Sequence, residues 1–293
     1  MNRKLDRKSY PMYLAIPALT FYTFFIIVPF GLSAVLSLTD WNITRMYEPV
    51  FRGLYNYFEI FSDATFIRAI QNTLIFALCS TTLKTIFGLL LALGLYKASK
   101  LNNVLRTIFY VPCVLSTLII GVLFTSILAK SGLLNNLLES VGLASLTMNW
   151  LGYYGSALAC VIFIEGWMWS GFNMFIFIAG MQAIPVDYYE FARIEGASAW
   201  NQFKNITIPL LMPSFTVTVT LGITGGLKVF DLIYVLTGGG PGYDTQVVST
   251  YVYSSFGLGF LGESAAASVI LSIIVVVISF SLNRFFTKRE VEM

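Results

Sequence analysis

The 293 residues contain no histidine, which excludes histidine-based metal sites and the commonest general base. Charge is also scarce. Asp, Glu, Lys and Arg make up 11% of the chain, against about 25% in soluble domains. Cysteine occurs three times, as Cys79, Cys113 and Cys160. Each lies in an apolar run without metal-ligand spacing, so they read as small packing residues and no metal site is expected. The phosphate-cradling pattern G-x-x-x-x-G-K-[S/T] is absent, so the chain is not expected to bind or hydrolyse ATP itself. Only two acidic residues, Glu165 and Asp231, fall deep in apolar runs, and no nucleophile–base set accompanies them. No catalytic residue is therefore expected. Net charge is +3, with the basic residues gathered at the ends of apolar runs, which argues against a nucleic-acid surface. No internal repeat, low-complexity tract or separate soluble domain is visible, so 1–293 is expected to form one domain.

What is present is apolar. Hydrophobic residues are 57% of the chain, aromatic residues 16%, and the mean hydropathy is +0.76. A bilayer core of about 30 Å needs about 20 apolar residues per helix. Six stretches meet that length, at about 13–38, 69–96, 107–129, 155–180, 210–236 and 264–286. The first is too long for a signal-peptide core and lacks a small-residue cleavage site, so it is expected to be retained. With the N-terminus inside, the inner segments hold Arg3, Lys4, Arg7, Lys8, Lys97, Lys100, Arg106, Arg193, Lys204, Arg284, Lys288 and Arg289. The outer segments hold only Arg45, Arg52, Arg68 and Lys130. Positive charge favours the cytoplasmic side. The expected fold is all-α and polytopic: six spans in membrane lipid, both termini cytosolic, and a cytosolic helix–turn–helix loop between spans four and five.

That loop is the polar island from Ile184 to Ser214. Pro185 suits a helix start, with Asp187 and Glu190 in the positively polarised first turns. Gly196 is a natural stop, Ser198 can cap a second short helix, and Pro209 and Pro213 suit the opening of the next apolar segment. The stretch resembles the coupling loop of ATP-binding-cassette importer permeases, whose pattern is E-A-A, three residues, G, nine residues, I-x-L-P. Here Glu190-Phe191-Ala192 precedes Gly196, and Ile206-Thr207-Ile208-Pro209 follows at the required distance, with Phe191 and Ile208 as apolar departures. The run from Phe230 to Pro241, and Phe51 to Tyr57 after the first span, are similar to stretches in sugar-importer permeases of the maltose type, nearest their larger permease subunit.

The resemblance implies a multi-pass permease of a bacterial or archaeal cell membrane. Its implied partners are a second homologous permease, two ATPase subunits carrying ATP and Mg, and an extracellular sugar-binding protein. It implies docking of an ATPase on loop 184–209, whose pattern falls on Glu190, Phe191, Ala192 and Gly196. Read directly, Glu190 and Glu195 offer charges to a partner's basic groups, Gly196 beside Ala197 permits close approach, and Trp200 and Phe203 offer anchors, with a place in the lipid headgroups as the alternative for Trp200. In such permeases the sugar meets spans four and five. Aligned without gaps, the contact positions fall on Glu165, Trp169, Phe172, Gly222, Gly225 and Gly226.

The residues can also be read directly. Charges inside a span are costly and point to function; here they are Lys84, Glu165, Lys228 and Asp231. Glu165, Trp169, Phe172 and Asn173 share a helical stripe, offering rings for a sugar face and polar groups for its rim. Lys228 and Asp231, three apart, suit either a structural pair or a pathway lining. Packing is the alternative for the aromatics, and close helix contact for the glycines. A rival reading is an ion-coupled carrier that uses Glu165, Lys228 and Asp231 as a relay.

Overall fold

The computed structural model describes residues 12–153 and 155–287. Among these the regular structure is helical, apart from an isolated bridge between Thr39 and Phe51. Contacts divide the chain into two compact units. One takes the described residues of Met1–Asp63 with Val252–Ile270, the other those of Ala64–Tyr251 with Leu271–Met293.

The first unit opens with α1, Tyr13–Leu36, whose most apolar window is 0% buried. The chain after it folds around two polar side chains. Asn56, 5% exposed, donates from Nδ2 to the carbonyls of Ser37 and Thr39, at 2.7 Å each. The Asp40 carboxylate accepts the Val50 N–H at 2.7 Å and pairs with Arg45 at 2.5 Å and Arg52 at 3.7 Å. The Val50 N–H, then the neighbouring guanidinium charge of Arg45, hold its pKa below the ordinary carboxylate value, against an opposing effect of burial. The run from Phe51 to Tyr57 gains a physical sense here. Gly53 turns the chain at φ +61°, Asn56 ties it down, and Tyr57 Oη bonds Ser37 Oγ at 2.7 Å before helix α2, Tyr55–Ser62, is complete.

The second unit is built on a long pair, α3 (Ala64–Leu95) and α7 (Ser156–Ala183). α7 is the more central, with 67% of its apolar window buried against 39% for α3. Glycines set how closely they approach. A β-carbon on Gly88 would lie 2.5 Å from Asn173 Cβ, and one on Gly166 2.8 Å from Leu83 Cβ. Small residues that let backbones meet are the usual means of packing helices in lipid, where water supplies no driving force. α4 (Lys100–Val114) packs on α7, and α10 (Met212–Leu227) on α3. α5 (Thr117–Leu128) is followed by the short α6 (Leu133–Ser140), and packs on α11 (Asp231–Leu236). Phe76, Val161, Ile164, Met168, Ile233 and Val247 form the core between these elements. A second cluster joins Ala92, Met174, Phe177 and Leu211.

The 238–246 loop is bound to the starts of α3 and α7. Asp244, 1% exposed, pairs with Arg68 at 3.0 Å and accepts the Gly155 N–H. Asn72 Nδ2 donates to the carbonyls of Asp244 and Gln246, at 2.9 Å each. These polar anchors explain why α3 begins at Ala64 rather than near residue 69.

Among the described residues, five helices are long and apolar enough to cross a membrane, or six if the bent pair Ala199–Leu210 and Met212–Leu227 counts as one span. Two expected spans are interrupted. The stretch 107–129 breaks at Leu115, whose backbone is extended, and the apolar span runs instead over Thr117–Ser140. The stretch 210–236 bends by 61° at its start and stops at Leu227, resuming at Asp231. The pair Gly225-Gly226 weakens the helix before that second break. Irregular backbone at membrane depth is tolerated where it lines a cavity, and this one does.

Candidate functional site

A cavity of about 430 Å³ lies between α3, α7, α10 and the break before α11. Its walls include Glu165, Trp169, Phe172, Asn173, Gly222, Gly225, Lys228 and Asp231, so eight of the nine expected path residues meet at one place. Gly226 does not join them. Its β-carbon would lie 2.7 Å from Ala77 Cα, so it serves the contact between α10 and α3. Gly222 does both, since its β-carbon would lie 2.7 Å from Thr81 Cγ2. Gly225 has open space where a β-carbon would be.

The aromatic residues divide in the same way. The Trp169 and Phe172 rings meet edge to face at 5.9 Å on the cavity wall. Trp167 packs instead against Phe124, at 5.5 Å, beside the core cluster. Phe230 adds a ring to the cavity that sequence reasoning missed, stacked on Tyr234 at 5.2 Å.

The charges pair differently from expectation. Lys228 and Asp231 do not share a helix face, because Lys228 ends α10 and Asp231 opens α11. Both are exposed at the break, and neither makes an ion pair with the other. The buried pair is Lys84 with Glu165, Nζ to Oε1 at 3.2 Å, with side chains 6% and 10% exposed. Lys84 was recognised as a costly charge but not placed in the site. The signal available was balance: a lysine inside one span needs an acid, and Glu165 is the acid of span four. Removing one member of such a pair costs about 3–5 kcal/mol, because the other is left buried and uncompensated. Asn173 Nδ2 is also buried here, with no partner within the described chain.

At the other end of α7 the chain forms the elbow. Helix α8, Asp187–Ile194, ends in a paired motif: Ala197 N–H bonds the Ala192 carbonyl at 2.8 Å and Gly196 N–H that of Arg193 at 3.0 Å. This closure needs a left-handed residue after the helix, and Gly196 supplies it at φ +76°. Ser198 Oγ then accepts the Asn201 N–H and caps α9, Ala199–Leu210, as its sequence position suggested. Two features not read from the sequence hold the halves together. Tyr189 Oη bonds Thr207 Oγ1 at 3.0 Å, and Gln202 Nε2 donates to the Ala197 carbonyl at 2.9 Å. The elbow leaves three large apolar side chains open: Phe191 is 68% exposed, Ile194 80% and Trp200 68%. Glu190 and Glu195 flank it, also exposed, and Phe203 tilts against Trp200 at 5.6 Å.

Residues 84–291 match the family of binding-protein-dependent transport system inner membrane components. The trehalose/maltose transport system permease MalF of Thermococcus litoralis is 37% identical over 270 residues, covering 92% of this chain and 90% of that one. A probable ABC transporter permease of Bacillus subtilis, YurN, is 36% identical over 291 residues, 98% of this chain and 99% of that one. Among solved structures, a chain of a bacterial ABC transporter that imports the acidic polysaccharide alginate superposes with a TM-score of 0.81 over 97% of both chains, at 24% identity. That last likeness concerns the fold.

Proposed function

The chain belongs to the binding-protein-dependent transport system inner membrane components, and from that premise we propose that it is a permease subunit of an ATP-driven sugar importer, with an oligosaccharide as cargo. It is a multi-pass component of the cell membrane, and its proposed arrangement is a single permease domain of six spans with both termini cytosolic. The carrying observation is the cavity. A carboxylate, an amide, an indole and a phenyl ring converge there with an open glycine face, in a chain where charged residues are only 11%. Rings fit the apolar face of a pyranose, and the polar groups fit its hydroxyl rim. This chain forms one wall and a second homologous permease the other. An external binding protein delivers the sugar.

Two ATPase subunits supply the energy from the cytosol. One docks on the elbow of this chain, where the exposed face of Phe191, Ile194 and Trp200 suits a hydrophobic groove and Glu190 and Glu195 suit basic groups around it. A rigid elbow, closed by Gly196 and the Tyr189–Thr207 bond, passes motion of the ATPase dimer to α7 and α10 rather than absorbing it. The importer reconstituted in proteoliposomes should take up an oligosaccharide with external binding protein and internal ATP, and without an ion gradient. Uptake driven by a proton gradient in the absence of ATP would overturn this reading in favour of an ion-coupled carrier.

A further inference from the structure

The cavity holds two cations and two anions, at two depths. Lys84 and Glu165 are buried and paired at its inner end, while Lys228 and Asp231 are exposed at the helix break. We propose that Lys84 is a specificity-determining residue of this cavity. By pairing with Glu165 it holds the wall electrically neutral, so the site takes uncharged saccharides and discriminates against those that carry uronic-acid carboxylates. The inference rests on the sugar reading of the cavity and narrows it to a charge class.

The argument is one of satisfied charge. A charge removed from water is tolerated when it is paired and hydrogen-bonded. Lys84 Nζ is already committed to Glu165 Oε1. A second carboxylate entering the inner end would meet a cation whose charge Glu165 already balances, and would lie beside the Glu165 carboxylate. Like charges at close range in a water-poor site cost more than either would alone. Lys228 does not offset this. It sits at the exposed break in the same lining as Asp231, whose opposite charge offsets it. A neutral sugar faces no such penalty. Its hydroxyls can donate to Glu165 Oε2 and accept from the remaining Lys84 N–H bonds, so the pair serves as donor and acceptor at once.

The test is a ratio, because loss of packing lowers all affinities together. The importer, with its permease and ATPase partners in lipid nanodiscs, is titrated with three probe classes. These are neutral trisaccharides (maltotriose, cellotriose and raffinose), trigalacturonate, and the glucosamine trimer. Wild type should bind at least one neutral probe and prefer it to both charged probes. Glu165→Gln leaves Lys84 uncompensated, and should raise the affinity for trigalacturonate relative to the neutral probe by about tenfold or more. Lys84→Gln should do the same for the glucosamine trimer. The double variant, which removes the pair and leaves no lone charge, should return both ratios to the wild-type values; if one single variant fails to assemble, the other carries the test with its own charged probe. Ratios unchanged in the single variants, altered in the double variant, or a wild type that binds trigalacturonate as well as a neutral probe would overturn the charge assignment while leaving the sugar reading standing. A wild type that binds none of the probes would remove the sugar reading, and this inference with it.

Discussion

Trp167 and Trp169 stand two residues apart on one helix and have different surroundings. Trp169 lines the cavity with Phe172, while Trp167 packs on Phe124 beside the core. Their separation was legible, since residues two apart on a helix point in different directions. Loss of a stacking ring costs about 1 kcal/mol beyond its area, a several-fold change in affinity. Trp169→Ala is therefore expected to reduce sugar uptake several-fold with assembly and binding-protein affinity unchanged. Trp167→Ala should lower the melting temperature more than it lowers uptake. Equal uptake in the two variants would remove Trp169 from the site. Asp40 carries a second prediction at this scale. Its folded-state pKa is shifted below the unfolded value of 3.8, first by the Val50 N–H and then by Arg45. The stability it contributes is thus present above that value and declines as pH falls through the lower folded value. Asp40→Asn should flatten the acid limb of a proteolysis-against-pH curve for the 39–52 connection. An unchanged limb would show that the carboxylate charge contributes nothing there. What the sequence concealed at this scale was pairing at a distance. Lys84 and Glu165 are 81 residues apart, whereas Lys228 and Asp231 look adjacent until the helix between them ends.

At the scale of elements, the elbow was legible because its signals are local: Gly196 as stop, Ser198 as cap, and prolines at the next starts. The breaks in α4–α5 and α10–α11 were not. Apolarity continues across Leu115, and Lys228 and Asp231 read as charges on a continuous helix rather than as the edges of a break. The elbow also separates two kinds of damage. A β-carbon on Gly196 meets nothing within 4 Å, so the position is open, yet φ is +76°. Left-handed backbone costs an ordinary residue about 1–2 kcal/mol, and asparagine less. Gly196→Asn should thus keep the turn and retain transport. Gly196→Leu, which strains the turn and also fills the open approach, should leave ATP hydrolysis running without uptake. Glu190→Lys, which alters an exposed charge and no internal contact, should weaken ATPase docking in a pull-down from detergent. Normal uptake and normal docking in Gly196→Leu and Glu190→Lys would show that the elbow does not couple the two subunits.

For the whole molecule, the quantity that sets sidedness is parity. Five spans put the termini on opposite sides of the membrane, and six put them on the same side; the bent pair of α9 and α10 decides between them. The second unit contains an internal ruler for this. Asp244 binds the Gly155 N–H at the start of α7, whereas the elbow follows α7's other end, at Ala183. At about 1.5 Å per residue the 28 residues of α7 separate those ends by about 42 Å, more than a bilayer core of about 30 Å. The chain between the elbow and Asp244 must therefore traverse that distance, which α10 and α11 do together with the break between them. Charge agrees. Three of the four basic residues on the expected outer side are held in ion pairs, Arg45 and Arg52 by Asp40 and Arg68 by Asp244, so their positions have a structural cause. The prediction follows for single cysteines placed at Glu190 and at Tyr243, with Cys79, Cys113 and Cys160 replaced by alanine. An impermeant maleimide added to intact cells should label position 243, which is 57% exposed at the tip of its loop, and should reach position 190 only in inverted vesicles. Labelling of both positions from one side would mean that the bent pair does not cross. The elbow would then lie on the side of the sugar-delivering protein, out of reach of any cytosolic ATPase.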